Sequence, residues 1–155
     1  MPTSTYTPIA TTTLGSAQSS VTFNSFGGYT DLVLVVAGST SSGDGYLRIN
    51  SDASSFYSTT RLYGDSSAAA SDRITSLGIT IGGFTNGVSV INIMNYANTT
   101  TYKTILSRIN NPGGYVNASV SLWRKTPEAI TTLEAYAASN WASGCTFTLY
   151  GIKAA

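Results

Sequence analysis

The chain predicts an all-β protein, an antiparallel two-sheet β-sandwich with a jelly roll as its expected form. Three observations carry that prediction. Short apolar–polar alternations recur at roughly the 8–12-residue spacing of sandwiches and barrels. No stretch of the chain keeps the 3.6-residue apolar period of an amphipathic helix. Gly, Asn and Pro fall between the alternations, where the backbone must turn.

Residues 1–15 are polar, hold Pro2 and Pro8, and offer only Tyr6, Ile9 and Leu14 as apolar anchors. Residues before proline avoid the helical region, so this segment is expected as an extended arm able to dock on a neighbour. Residues 16–155 are expected as one sandwich domain of about ten strands. Ser20-Val-Thr-Phe23 is a short alternating strand before the Gly27-Gly28 turn. Thr30 to Ala37 is the strongest strand, with Leu32, Leu34 and Val36 on one face and Val33 and Val35 on the other. Apolar residues on both faces place it centrally, at a sandwich or subunit contact.

Ser39 to Gly45 is a loop, and Tyr46-Leu-Arg-Ile-Asn50 resumes the alternation with Leu47 and Ile49 opposite Arg48. Thr59 to Tyr63 reads as a strand, and Asp65 to Ser71 as a loop. Leu77 to Ile81 is a strand, followed by turn signals at Gly82-Gly83 and Asn86-Gly87. Val88 to Met94 changes phase between Val90 and Ile91, which predicts a bulge or a strand buried on both faces. Tyr102 to Ile109 is the next strand, and Asn110-Asn-Pro-Gly-Gly114 a turn. Tyr115 to Trp123 alternates with Val116, Ala118, Val120 and Leu122 on one face and Trp123 on the other. Ala129 to Glu134 and Cys145 to Tyr150 close the fold, joined by a small-residue loop that holds Trp141.

A chain of 155 residues can bury roughly 68–70% of its unfolded surface in a single core. Charged residues make up 10% of it, against roughly 25% in ordinary soluble domains. The surface polarity comes instead from 45 Ser and Thr. With a net charge of +1 and no basic stripe, nucleic acid is not expected as a partner. A nearly neutral surface lacks the repulsion that keeps copies apart, so self-association is expected. No apolar run reaches the ~20 residues that span a bilayer, and Met1 to Pro8 lack the basic and apolar regions of a signal peptide.

His is absent, which removes the usual general base and commonest metal ligand, and with them a Ser-His-Asp triad. Asp52, Asp65 and Asp72 are expected on neighbouring loops and could converge as a glycosidase pair, although loop aspartates are ordinarily turn formers. Asp44-Gly-Tyr46 and Asn50-Ser-Asp52 offer oxygen atoms to calcium at spacings that match no EF-hand. A Ser-Lys pair would require Lys103, Lys125 or Lys153 to be buried. Asn98-Thr-Thr100 and Asn117-Ala-Ser119 fit the glycosylation sequon. Cys145 reads as a small buried hydrophobe. No catalytic residue, metal or cofactor is therefore expected. Trp123 fits either a core edge, a subunit or capsid contact, or a sugar platform.

Six stretches carry a resemblance: Tyr6-Thr-Pro-Ile-Ala-Thr-Thr-Thr-Leu-Gly15, Tyr29-Thr-Asp-Leu-Val-Leu-Val35, Thr60-Arg-Leu-Tyr-Gly64, Ile91-Asn-Ile-Met-Asn-Tyr96, Thr101-Tyr-Lys-Thr104 and Thr146-Phe-Thr-Leu-Tyr-Gly-Ile152. Together they resemble small structural proteins of tailed phages, of the cyanophage and marine-phage type. The resemblance implies a capsid cement (decoration) protein made in the host cytoplasm, which trimerises on the outer capsid surface of the virion against the major capsid protein. Tyr6, Ile9, Leu14 and Trp123 are the expected subunit or capsid contacts. The alternative is a tail or fibre module that stacks Trp141 or Tyr63 on a host-surface glycan.

Overall fold

The computed structural model describes residues 5–82 and 85–153. Gly83 of the expected Gly82-Gly83 turn, and residues 1–4 of the expected arm, lie outside them. The described chain forms twelve strands: β1 Tyr6–Thr13, β2 Gln18–Phe23, β3 Asp31–Gly38, β4 Gly45–Ile49, β5 Tyr57–Gly64, β6 Ala69–Ser76, β7 Ile79–Gly82, β8 Gly87–Ile93, β9 Lys103–Asn111, β10 Tyr115–Trp123, β11 Leu133–Trp141 and β12 Thr146–Ile152. Every pairing is antiparallel.

The strands make an eight-stranded sheet in the order β1-β12-β3-β8-β9-β10-β5-β6 and a four-stranded sheet in the order β2-β11-β4-β7. Strands β1 to β4 alternate between the sheets, as do β7 with β8 and β11 with β12, and the chain also crosses at β4–β5, β6–β7 and β10–β11. The remaining strands come as two hairpins, β5–β6 and β9–β10, and both add to the same side of the larger sheet.

The core lies between the sheets. Leu32, Leu34 and Val36 of β3, Ile91 and Ile93 of β8, and Phe147 and Leu149 of β12 meet Leu47 and Ile49 of β4, Ile79 and Ile81 of β7, and Leu133 and Ala135 of β11. Trp141 and Phe147 pack edge to face at 5.1 Å, inside that cluster. Gly45 is required there, because a Cβ would collide with the Trp141 ring.

Four expectations are corrected. The arm is not free: β1 lies along β12 from Tyr6↔Ile152 to Thr13↔Thr146, as an edge strand with an irregularity between Pro8 and Ala10. An edge tolerates proline because its missing N–H faces no partner. Ala69 and Ala70 belong to β6, not to a loop. Their strand is held by register with β5 and by a fork of hydrogen bonds from Arg61 Nε and Nη2 to Asp72 at 2.8 and 2.5 Å. Strand β8 has no bulge, since its pairing with β3 and β9 runs without a register shift. Trp141 does not sit in a loop but ends β11, fully buried, with Nε1 donating to the Ala135 carbonyl.

Candidate docking face

Strand β10 alternates as its sequence says, but the apolar set faces out. Val116 and Val120 are 58% and 50% exposed, whereas Ser119 and Ser121 are 5% and 0%. The inner side is polar because those groups satisfy one another: Ser107 meets Ser119 at 2.6 Å and Thr59 meets Ser121 at 2.8 Å. Buried hydroxyls paired in this way escape most of the desolvation penalty.

Register carries the outward apolar set across the larger sheet. One row runs Val35, Val90, Arg108, Ala118, Leu62, and the next runs Val33, Asn92, Leu106, Val120, Thr60. Leu62 is 65% exposed, with Val88, Leu106 and Met94 also open to solvent. The face is hollowed into two adjoining depressions of about 680 and 670 Å³, which share Leu62, Arg108 and Ala118. Monomers rarely leave so continuous an apolar surface uncovered unless it meets a partner. Arg108 is the cation at its centre, and Asp31 lies at its margin.

The expected contact residues separate. Tyr6 is half exposed on the β1 edge, its ring 6.4 Å from that of Tyr150. Ile9 is partly buried against the core, and Leu14 is buried, its backbone N–H donating to the Cys145 carbonyl at 2.9 Å. Trp123 is 1% exposed and is an internal post, not an outward contact. Its Nε1 donates to Asp52 Oδ2 at 2.7 Å. Sequence reading missed Leu62, Leu106, Val116 and Val120 as surface residues, since period-2 alternation separates two faces without saying which is inside.

Each carboxylate considered for catalysis has a structural partner. Asp52 also accepts from Ser54 N and Oγ; burial raises its pKa, but the Ser54 and Trp123 hydrogen bonds outweigh it and hold the carboxyl below its ordinary range. Asp65 closes the β5–β6 turn by accepting from Ser67 N, Ser67 Oγ and Ala68 N, which lowers its pKa, and Asp72 is lowered by Arg61. Asn50 bridges Glu128, Ala129, Thr131 and Thr132. Among the described residues no three His, Cys, Asp or Glu side chains gather to hold a metal.

Lys103 is buried on β9, and burial lowers its pKa. Its ammonium donates to the Asn98 and Thr101 carbonyls at 2.5 and 2.9 Å, so it ties down the loop ahead of its own strand. Cys145 is buried and donates to the Ser39 carbonyl. Asn117 and Ser119 of one sequon are inside the fold, and Asn98 of the other caps Thr100 and Thr101.

The fold and this face define a β-sandwich with an uncovered apolar sheet. No family model, curated protein or solved structure matches the chain.

Proposed function

We propose that this chain is a non-enzymatic virion structural protein, a capsid cement protein that trimerises and stabilises the shell of a tailed phage against the major capsid protein. The observation that carries the reading is the outward apolar face of the larger sheet. Its occupant in this reading is a second copy of the chain: the face is mostly apolar, its Arg108 and Asp31 are of opposite sign with Arg73 at the β6 end, and Leu62, Val116 and Val120 would be dry in an assembly. Three copies close a ring when the face of one meets a different surface of the next. The half-exposed edge strand β1, with Tyr6, is then left to meet the shell, where backbone groups can pair across a joint.

The fold lends support as well. Without the hairpins β5–β6 and β9–β10, the strands read β1-β12-β3-β8 over β2-β11-β4-β7, and we read this as a jelly roll with two insertions. Jelly rolls recur in capsid and lectin domains, an analogy of architecture only. The insertions supply most of the apolar face, as expected of an element added for assembly.

Light scattering on the purified chain tests the oligomer. The native chain should have the mass of three copies, and the double substitution Leu62→Glu, Val120→Lys should give a folded monomer. A native monomer, or a trimer indifferent to both charges, would overturn the reading. Particles lacking the protein should lose resistance to heat or osmotic shock; unchanged particles would remove the cement role.

A further inference from the structure

Among the described residues β1 and β6 are the edges of the larger sheet, and β2 and β7 those of the smaller. Three of these edges are interrupted. Strand β1 carries Pro8 and an irregularity after it, the pairing of β2 slips between Tyr136 and Trp141, and β7 is four residues long with a shift beside Gly45. Strand β6 has none of these devices. It runs from Ala69 to Ser76 without Pro or Gly, holds unbroken register with β5 from Gly64↔Ala69 to Tyr57↔Ser76, and has no buried residue. Its far side is a row of backbone N–H and C=O groups with no strand beside them, and such a row is a template for another strand.

We propose that β6 pairs antiparallel with β6 of a second copy, about a two-fold axis centred on Ile74, and so joins two larger sheets into one. The strand itself selects this occupant. A two-fold axis through the sheet can centre only on a residue, since facing side chains must lie on one side. The longest overlaps centre on Asp72 or Arg73 and set like charges face to face, which is destabilising. Centring on Ser71 pairs no large apolar side chain and draws on Ala69 and Ser71, which border the depressions of the assembly face. Centring on Ile74 sets Ile74 against its own copy, Arg73 against Thr75 and Asp72 against Ser76. Ile74 lies opposite the buried Thr59, on the inner side of the sheet, and is only half-buried within one chain.

A two-fold contact does not close a three-membered ring, so it is separate from the contact through the outer face and links one assembly to the next. The paired stretch, Asp72 to Ser76, is too short to hold a dimer in dilute solution, where stable interfaces bury about 1,200 Å² or more. It acts where copies are already crowded and repeated contacts reinforce one another. A role on a shell rests on the cement reading; the pairing itself does not.

Single cysteines test the register, because the native Cys145 is 1% exposed. Facing residues of an antiparallel pair have Cα atoms about 4.5–5.5 Å apart, within the disulfide range of about 4.4–6.8 Å. Concentrated full-length Ile74→Cys, oxidised with glutathione, should give at least about tenfold more covalent dimer than Ala70→Cys, whose copies stand roughly 27 Å apart in this register. A mixture of Arg73→Cys and Thr75→Cys should cross-link more than either alone, since each sits about 8 Å from its own copy, and it serves if Ile74→Cys misfolds. Adding Ile74→Lys to both chains of the mixture should lower its yield at least about threefold by setting two cations face to face. Equal dimer from Ile74→Cys and Ala70→Cys, or a mixture no better than its parts, would overturn the pairing. The covalent dimer is read on a denaturing gel, so the outcome is independent of the trimer. A monomer in light scattering that cross-links through Ile74 removes only the trimer, and a trimer that does not cross-link removes only this contact.

Discussion

Replacing Asp52 by Asn tests whether Trp123 is anchored as described. The carboxylate takes Trp123 Nε1 on Oδ2 at 2.7 Å, and Ser54 N and Oγ on Oδ1 at 3.0 and 2.5 Å. An amide has one oxygen, so either Trp123 or Ser54 must face an NH₂ group. Trp123 is 1% exposed and has no access to water in compensation. A hydrogen bond to a charged group contributes about 1.5–3 kcal/mol, and 1 kcal/mol shifts the melting temperature of a domain this size by about 2–4 °C. Asp52→Asn should therefore melt about 3–12 °C lower at neutral pH.

The pH dependence follows from the sign of the shift. The folded carboxyl lies below its ordinary value, because the Ser54 and Trp123 bonds outweigh the opposing effect of burial. Its stabilisation is thus fully present above an unfolded pKa of about 3.9 and is lost as pH falls through the folded value. The asparagine does not titrate, so the two melting curves should converge in acid. Calorimetry across that range decides it. Equal melting at neutral pH, or a gap of constant size down to pH about 2, would refute the anchoring argument.

Four further substitutions test a buried hydroxyl pair and a close glycine contact. Ser107→Ala or Ser119→Ala alone should cost about 1–3 kcal/mol by stranding the other hydroxyl, whereas the double variant should cost less than the sum of the two; additive urea-melt losses would deny the pair. Gly45→Ala should cost about 1–3 kcal/mol through the Trp141 ring, while Gly27→Ala, whose Cβ would meet nothing within 4 Å, should change stability by less than about 0.5 kcal/mol.

Much of the fold was legible because burial leaves a period. Strand β3 read as central from Leu32, Leu34 and Val36 against Val33 and Val35, and it does lie between β12 and β8. What escaped was whatever a partner strand decides. Ala69-Ala70-Ser71 has little strand propensity of its own and is ordered by β5. Ala135 to Asn140 is similarly small and polar, yet β2 and β4 hold parts of it in place. The polarity of β10 was legible only as two unlike faces: serines go inside because Ser107 and Thr59 await them there. The outer face could not be read from one strand, since it joins residues far apart in the chain.

The pairing of β1 with β12, and of β2 with β11 inside it, has a consequence for biosynthesis. Strands β1 and β2 have no partners until β12 and β11 have emerged, so the sandwich cannot close before its last strand has been made. Sequestering such early strands is slow work, because distant loops must close before any contact rewards them. During that interval the valine-rich segments are exposed to neighbouring nascent chains, and a chaperone, or prompt assembly with sibling copies, would protect them.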